Sequence, residues 1–367
     1  MTINDKSVGL ALSGGGYRAT LFGLGSLWRL NEAGLLGRID RITGVSGGAI
    51  LLGVLAHRWR DLQFADGRAS NFAEAIGKPV RDFCATTIDV GAGLAGLITP
   101  FRNAGDFLAS RYAEDLFGAT TLKQLPAAGT GCPRFVFYAT NMQTGRSFRF
   151  RQDFVADYLL GLNRSIEIPL AVAVAASSAF PPLFSPVVLK TAPGAWSEGG
   201  ELPDLDALRR RVVLADGGVY DNMGLETLVD NVDIVLVSDA GAPFSIEESP
   251  AEDKVFLLGR VRDMLIDQTR ALRKRWLIEG FEAGSRRGAY WGIGTRIEAY
   301  PAGPRLCSDT PGSAELEHVP TRLRAFDGAL QGRLINWGYA LCDVALRTRA
   351  SLPIPAAVDW PVPEAAL

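Results

Sequence analysis

Histidine is almost missing from this chain, which has only His57 and His318 in 367 residues. Histidine is the side chain that most often activates a serine or cysteine nucleophile and the commonest metal ligand. Any histidine-dependent chemistry must therefore use one of these two positions. Cysteine is scarce as well. Cys84, Cys132, Cys307 and Cys342 are scattered with no C-x-x-C pair, so they read as buried thiols of a reducing compartment, neither a disulfide framework nor a zinc site. Basic charge is not in excess: 38 Lys and Arg stand against 40 Asp and Glu, which leaves nothing to neutralise a nucleic-acid backbone. No His, Cys, Asp or Glu cluster has ligand spacing, so neither a metal nor another cofactor is expected. The start, MTINDKSVGL, lacks the basic and apolar regions of a secretory signal. The expected location is cytoplasmic.

Two apolar stretches call for a test as membrane spans. The stretch 168–189 is uncharged and long enough, but it holds Pro169, Pro181, Pro182, Pro186 and the pair Ser177-Ser178. It reads as a short buried helix of small residues followed by a loop. The stretch 88–101 contains Asp89, three glycines and Pro100. Neither spans. Its Val90–Phe101 part is expected to be a flap over an apolar site, with a packed loop as the alternative.

Glycine is what the chain has in quantity, and three clusters of it coincide with reactive side chains. In Gly44-Val45-Ser46-Gly47-Gly48 an apolar run turns into a helix-like run, the strand–turn–helix setting of a G-x-S-x-G elbow. Such a turn exposes the serine hydroxyl beside a helix N-terminus. Earlier, SVGLALS reads as a buried strand, Gly14-Gly15-Gly16-Tyr17-Arg18 as its loop, and Thr20 to Leu35 as a helix. That loop lacks the Lys-Ser/Thr ending of a P-loop and the dinucleotide spacing, but its bare N–H groups suit an oxyanion. In a parallel sheet both loops lie at the same carboxyl edge, where such folds place sites. The third cluster is Asp216-Gly217-Gly218, a carboxylate delivered at the end of the strand-like RVVLA with its neighbours cleared away.

The remaining elements follow from periodicity. Residues 134–141 and 146–151 pattern as paired strands, and 233–239 as another buried strand. Helices are expected over 251–281, with apolar Leu257, Val261, Met264, Leu265, Leu272 and Trp276, and over 321–346, with Leu323, Phe326, Leu330, Leu334, Trp337 and Leu341 on one side. Arg270, Arg273, Lys274 and Arg275, with Arg286 and Arg287, form either a solvated face or a contact for anionic lipid headgroups. Strands and helices alternate through a single α/β domain spanning 1–367. Its motif-bearing core covers about 7–240, a helical region 241–350 and an extended tail 351–367.

Ser46 needs a base. His57 lies on the same helix about 16 Å away at roughly 1.5 Å per residue, out of reach. His318 leaves open a Ser46–Asp216–His318 triad in the chain order of α/β-hydrolases, although Ser46 comes early for that fold. The alternative is a dyad in which Asp216 accepts the proton directly, its basicity raised by an apolar site.

Together and in this order, the Gly14–Arg18, Gly44–Gly48 and Asp216–Gly218 motifs resemble the patatin-like phospholipase family, as does the AASSAFPPLFSP stretch between serine and aspartate. The resemblance covers roughly 7–239. It departs at Ala19, where the family usually has glycine, and at Ser13, where an aspartate is common. It implies a three-layer α/β/α fold with a central, mostly parallel sheet and hydrolysis of acyl esters of phospholipids or other lipids. It also implies Ser46 as nucleophile, Asp216 as base, and an oxyanion hole from Gly14, Gly15, Gly16 and Gly47. Tyr17, Arg18, Gly44, Gly48, Gly217 and Gly218 complete the motifs. Peripheral contact with the inner face of a membrane follows as an expectation, with a lipid-binding pseudoenzyme as the non-catalytic alternative.

Overall fold

The computed structural model describes residues 6–88, 104–129, 131–250, 253–357 and 359–367. The expected Val90–Phe101 flap lies outside the described residues. One sheet contains β1 Val8–Leu12, β2 Arg41–Val45, β3 Arg134–Asn141, β4 Arg146–Phe150, β5 Val155–Asp157, β6 Gly161–Asn163, β7 Val187–Lys190, β8 Trp196–Ser197, β9 Arg211–Asp216, β10 Ile234–Asp239 and β11 Arg287–Gly292. The helices that bear on the site are α1 Gly16–Glu32, α2 Gly47–His57, α3 Leu170–Ser178, α4 Lys254–Glu282 and α5 Gly328–Thr348.

The sheet order is β8-β6-β5-β4-β3-β2-β1-β10-β11, with β9 on β3 and β7 on β9. The central block β3-β2-β1-β10-β11 is parallel throughout, and β4, β5, β6 and β8 extend it as an antiparallel meander. The central strands VGLAL and IVLVSD are buried along their whole length, as strands covered on both faces must be. Leu10 and Leu12 of β1 pack with Leu21 and Leu24 of α1, Leu51 of α2 and Leu334 of α5. Ala11 turns the other way, toward Met223, Leu225, Leu228 and Leu277 of α4. Alternation along one strand thus feeds two helical layers, giving the expected mixed α/β fold with a central sheet between helices.

Helices α1 and α5 pack backbone to backbone. A Cβ on Gly25 would stand 1.8 Å from Ile335 O, and one on Gly338 2.0 Å from Phe22 O. The buried Arg29–Asp343 ion pair, 2.8 Å, locks the same pair of helices. Helix α5 starts later than its periodicity suggests, because the Asp327 carboxylate accepts from Leu330 N–H and caps it there. Leu323 and Phe326 consequently precede the helix. The described residues of the tail form no long regular element, yet Asn336 holds it by donating to Val362 O and Ala365 O, 2.8 Å each. Of the four thiols, Cys84 and Cys342 are buried, whereas Cys132 and Cys307 are half-buried, contrary to expectation. No helix among the described residues is long and apolar enough to cross a membrane.

The larger departure concerns α4. The helix forms, but Leu257, Leu258, Val261, Met264, Leu265, Leu272 and Trp276 face solvent, so its apolar side does not supply the core.

Filling the α1–α5 contact should break it. Gly338→Leu is expected to cost about 3 kcal/mol or more, read as a lowered urea midpoint. Leu→Ala at exposed Leu272 should leave that midpoint nearly unchanged.

Candidate active site

Strand β3 brings the serine and the aspartate together. Its residues up to Tyr138 pair with β2, ending at Val45↔Tyr138. From Ala139 onward it pairs with β9, whose final pair is Asp216↔Ala139. Strand β4 already occupies the other edge over Phe137 to Asn141, so β2 and β9 share one edge and meet end to end. One runs parallel to β3 and the other antiparallel, so both deliver their carboxyl ends to the same point. Asp216 is the last residue of β9, and Ser46 follows directly on β2.

Ser46 sits at φ 51°, ψ −119°, a backbone conformation that costs a non-glycine residue about 1–3 kcal/mol. Its N–H donates to Ser177 Oγ at 3.0 Å. Ser177 O accepts from Gly217 N–H at 3.1 Å, and Ala179 O accepts from Asp216 N–H at 2.9 Å. The C-terminus of α3 therefore clamps both strand ends at once. A helix reading LAVAVAASS presents little bulk, which lets it approach this closely.

The first glycine loop lies against the serine. A Cβ on Gly14 would be 3.1 Å from Ser46 Cβ, and one on Gly47 would be 2.0 Å from Gly16 O. Gly15 at φ 142° and Gly16 at φ 55° take backbone conformations that favour glycine. Thr20 Oγ1 stitches the two turns, donating to Gly47 O at 2.8 Å and Gly16 O at 3.2 Å. Among the described residues, no acceptor meets the N–H groups of Gly15, Gly16 and Gly47. Gly14 differs from expectation: its N–H already donates to Asn222 O at 2.9 Å, so it shapes the loop and has no donor to spare.

Tyr17 and Arg18 face away from the serine. Tyr17 packs edge-on against Phe83, 5.4 Å between ring centres. Buried Arg18 donates to Ala240 O, Glu317 O and Val319 O. Burial, then the charge of Arg270, lowers its pKa to about 10. Its three carbonyl acceptors tie the glycine loop to the C-terminal region.

Asp216 is 2% exposed. Its Oδ1 accepts from Gly218 N–H at 2.7 Å, whereas Oδ2 is buried with no hydrogen-bond partner. Burial raises its pKa to about 7, with the Gly218 N–H and the nearby Ser46 hydroxyl acting in the opposite direction. That hydroxyl therefore lies within reach of the Asp216 carboxyl. His318 is not part of this arrangement. Its side chain is 70% exposed and its ion-pair partner is Glu317, 3.6 Å away. His57 packs against Phe117 at the far end of α2. The described residues contain no group of His, Cys, Asp and Glu that would hold a metal ion.

Sequence reasoning missed Ser177 and Asn222. Ser177 was visible only as a polar break in an apolar run. Asn222 shows no pattern of its own, yet its side chain abuts Gly14, Gly218 and Gly241.

A carboxyl whose folded-state pKa is raised stabilises the fold fully below its unfolded value, near 4, and loses that contribution as pH rises through about 7. Asp216→Asn removes the dependence. Its melting temperature should pull ahead of wild type between those limits, by the equivalent of roughly 4 kcal/mol at most. Parallel melting curves from pH 4 to 8 check this.

A family model described as patatin-like phospholipase matches residues 10–229. SPO1 of Saccharomyces cerevisiae, which carries the name of a meiotic phospholipase, is 47% identical over 49 residues, 13% of this chain and 8% of that protein. Human GIVD cytosolic phospholipase A2, in complex with a fluorophosphonate inhibitor, aligns at 15% identity with a TM-score of 0.49, covering 92% of this chain and 57% of that one. VipD from Legionella pneumophila aligns at 16% identity with a TM-score of 0.38, covering 92% and 66%. The chain thus spans less than two thirds of the length of these relatives. The family match covers more than half of the chain and includes the serine elbow, both glycine clusters and the strand-end aspartate: this chain belongs to the patatin-like phospholipase family.

Proposed function

We propose that the chain is a serine acyl hydrolase that cleaves carboxylic esters of lipids, phospholipids in the first place, through a Ser46–Asp216 dyad. The observation that carries the reading is the buried Asp216 carboxyl, its Oδ2 without a hydrogen-bond partner, near the hydroxyl of Ser46 at its strained elbow. The family assignment supplies the lipid substrate.

In the first step Ser46 Oγ bonds to the ester carbonyl carbon while Asp216 takes its proton. The N–H groups of Gly15, Gly16 and Gly47 receive the oxyanion, one such donor being worth about 3–4 kcal/mol of barrier. The ester C–O bond then breaks, and the leaving alkoxide takes the proton from Asp216. Water attacks the acyl-enzyme by the same route, giving its proton to Asp216 and returning Ser46 to the free hydroxyl. Asp216 must be ionised to begin, and burial makes it a better base than a solvated aspartate. Intact Ser46 and Asp216 speak against a lipid-binding pseudoenzyme, and the exposed position of His318 speaks against a triad.

The test is release of fatty acid from mixed phospholipid vesicles. Ser46→Ala and Asp216→Asn should each lose about 10³-fold or more in turnover, whereas His318→Ala should keep it. An equally inactive but folded His318→Ala would replace the dyad by a triad, and turnover surviving in Ser46→Ala would remove the serine mechanism. In the active protein, kcat/KM should rise with pH through a limb centred near 7, the titration of Asp216.

A further inference from the structure

Helix α4 is docked inside out. Three of its arginines face the body: Arg262 donates to Pro181 O at 2.9 Å, Arg270 pairs with buried Asp239 at 2.9 Å, and Arg273 lies 3.7 Å from Asp221. Near its C-terminal end Leu277, fully buried, adds an apolar anchor. Wound at about 100° per residue, Leu257, Leu258, Val261, Met264, Leu265, Leu272 and Trp276 fall on one arc of about 120°, opposite Leu277. All seven are exposed, Leu258 to 70% and Leu265 to 60%. An apolar stripe of this kind on a protein surface marks a binding face.

We infer that this stripe is the surface by which the protein seats on an anionic lipid bilayer, an assignment that rests on the lipid hydrolase reading. Charge argues for lipid over a second protein copy. Arg260, Arg262, Arg270 and Arg273 are held by Glu247, Asp263, Asp239 and Asp221, which leaves Arg275 as the helix arginine with no carboxylate partner among the described residues. Lys274 turns to the body, its ammonium 4.7 Å from the centre of the buried Tyr290 ring, whereas exposed Arg275 lies on the arc of the stripe itself. Arg286 stacks on Trp276 with its guanidinium 3.6 Å from the ring centre. Apolar side chains beside unpaired cations match acyl chains beneath anionic headgroups. Position argues the same way. Arg262 holds Pro181 O and lies over the Phe180 ring, 5.1 Å away. That loop continues from Ala179, the acceptor of Asp216 N–H, and carries exposed Leu183. The stripe therefore begins beside the Ser46–Asp216 site.

The experiment uses the full chain with Ser46→Ala, so that vesicles are not consumed, and measures co-sedimentation with equimolar phosphatidylglycerol–phosphatidylethanolamine vesicles. Binding is expected, weaker in high salt and weaker on phosphatidylcholine alone. Leu258→Asp with Leu265→Asp should reduce it about tenfold or more. Arg275→Glu with Arg286→Glu should reduce binding to anionic vesicles selectively. Should the leucine variant misfold, an environment-sensitive dye on Leu265→Cys, with Cys132 and Cys307 replaced by serine, should shift to the blue when vesicles are added. No binding, undiminished binding of the leucine variant, or an unshifted dye overturns the assignment. So does a concentration-dependent dimer that these substitutions dissociate in the absence of vesicle binding. Failure of the two readings is separable: wild type that cleaves a monomeric soluble ester but ignores vesicles loses only the bilayer face. Vesicle binding by a wild type inert to soluble esters and to fluorophosphonate removes the hydrolase reading and, with it, the ground for this one.

Discussion

The edge of β3 is a single row of backbone hydrogen-bonding groups that two strands must divide. β2 takes the part up to Tyr138 and β9 takes the part from Ala139. Opposite strand directions then force both carboxyl ends to one point, which makes neighbours of two residues far apart in the chain. Much of the local architecture follows from this. The junction leaves no room for a bulky helix beneath it, so α3 consists of small residues and ends in Ser177, whose hydroxyl and carbonyl each serve one strand end. The strained backbone of Ser46 persists because pairing on both sides of it is already fixed. A strain of about 1–3 kcal/mol is small against the burial of the surrounding strands, where Phe137, Leu214 and Ala215 are fully enclosed.

Two aspartates end neighbouring regions of the same sheet, and their environments separate their chemistry. Both Asp216 and Asp239 are buried, and burial alone pushes each carboxyl upward. Asp239 then meets the Arg270 charge, the Gly241 N–H and the Tyr290 hydroxyl, which together hold it below the usual carboxylate range. It is a structural anion. Asp216 has one backbone donor and a serine, and stays near 7. The fold is most stable with Asp216 neutral, whereas the proposed proton abstraction requires it charged. On the proposed mechanism, stability and reactivity change in opposite directions over the same pH range, the usual relation at a site held away from its most stable state.

The site was legible in sequence to the extent that it is made of backbone. Glycine clusters, a serine in an elbow and a strand-end aspartate are local signals, and the parallel strands VGLAL and IVLVSD declare themselves by continuous apolarity. Features that depend on partners across the chain were not legible. The Gly14 N–H looks available until Asn222 O is placed against it, and nothing around Arg18 in the chain announces its acceptors, which come from 240, 317 and 319. Strands of two or three residues such as β5, β6 and β8 are too short to show a period, and only pairing with their neighbours defines them.

Helix α4 marks the sharpest limit of periodicity as evidence. A 3.6-residue pattern establishes that apolar side chains share a face, but it carries no sign for which way that face points. The direction here is set by Asp239 and Asp221 in the body, which draw Arg270 and Arg273 inward, and by Pro181 O, which draws Arg262. Desolvating these arginines is offset by carboxylates and carbonyls already fixed at strand and loop ends. Once they are seated, the leucines on the opposite side have no choice but to face outward. The same buried Asp239 that keeps a charge stable in the core therefore determines which surface the helix presents to its surroundings.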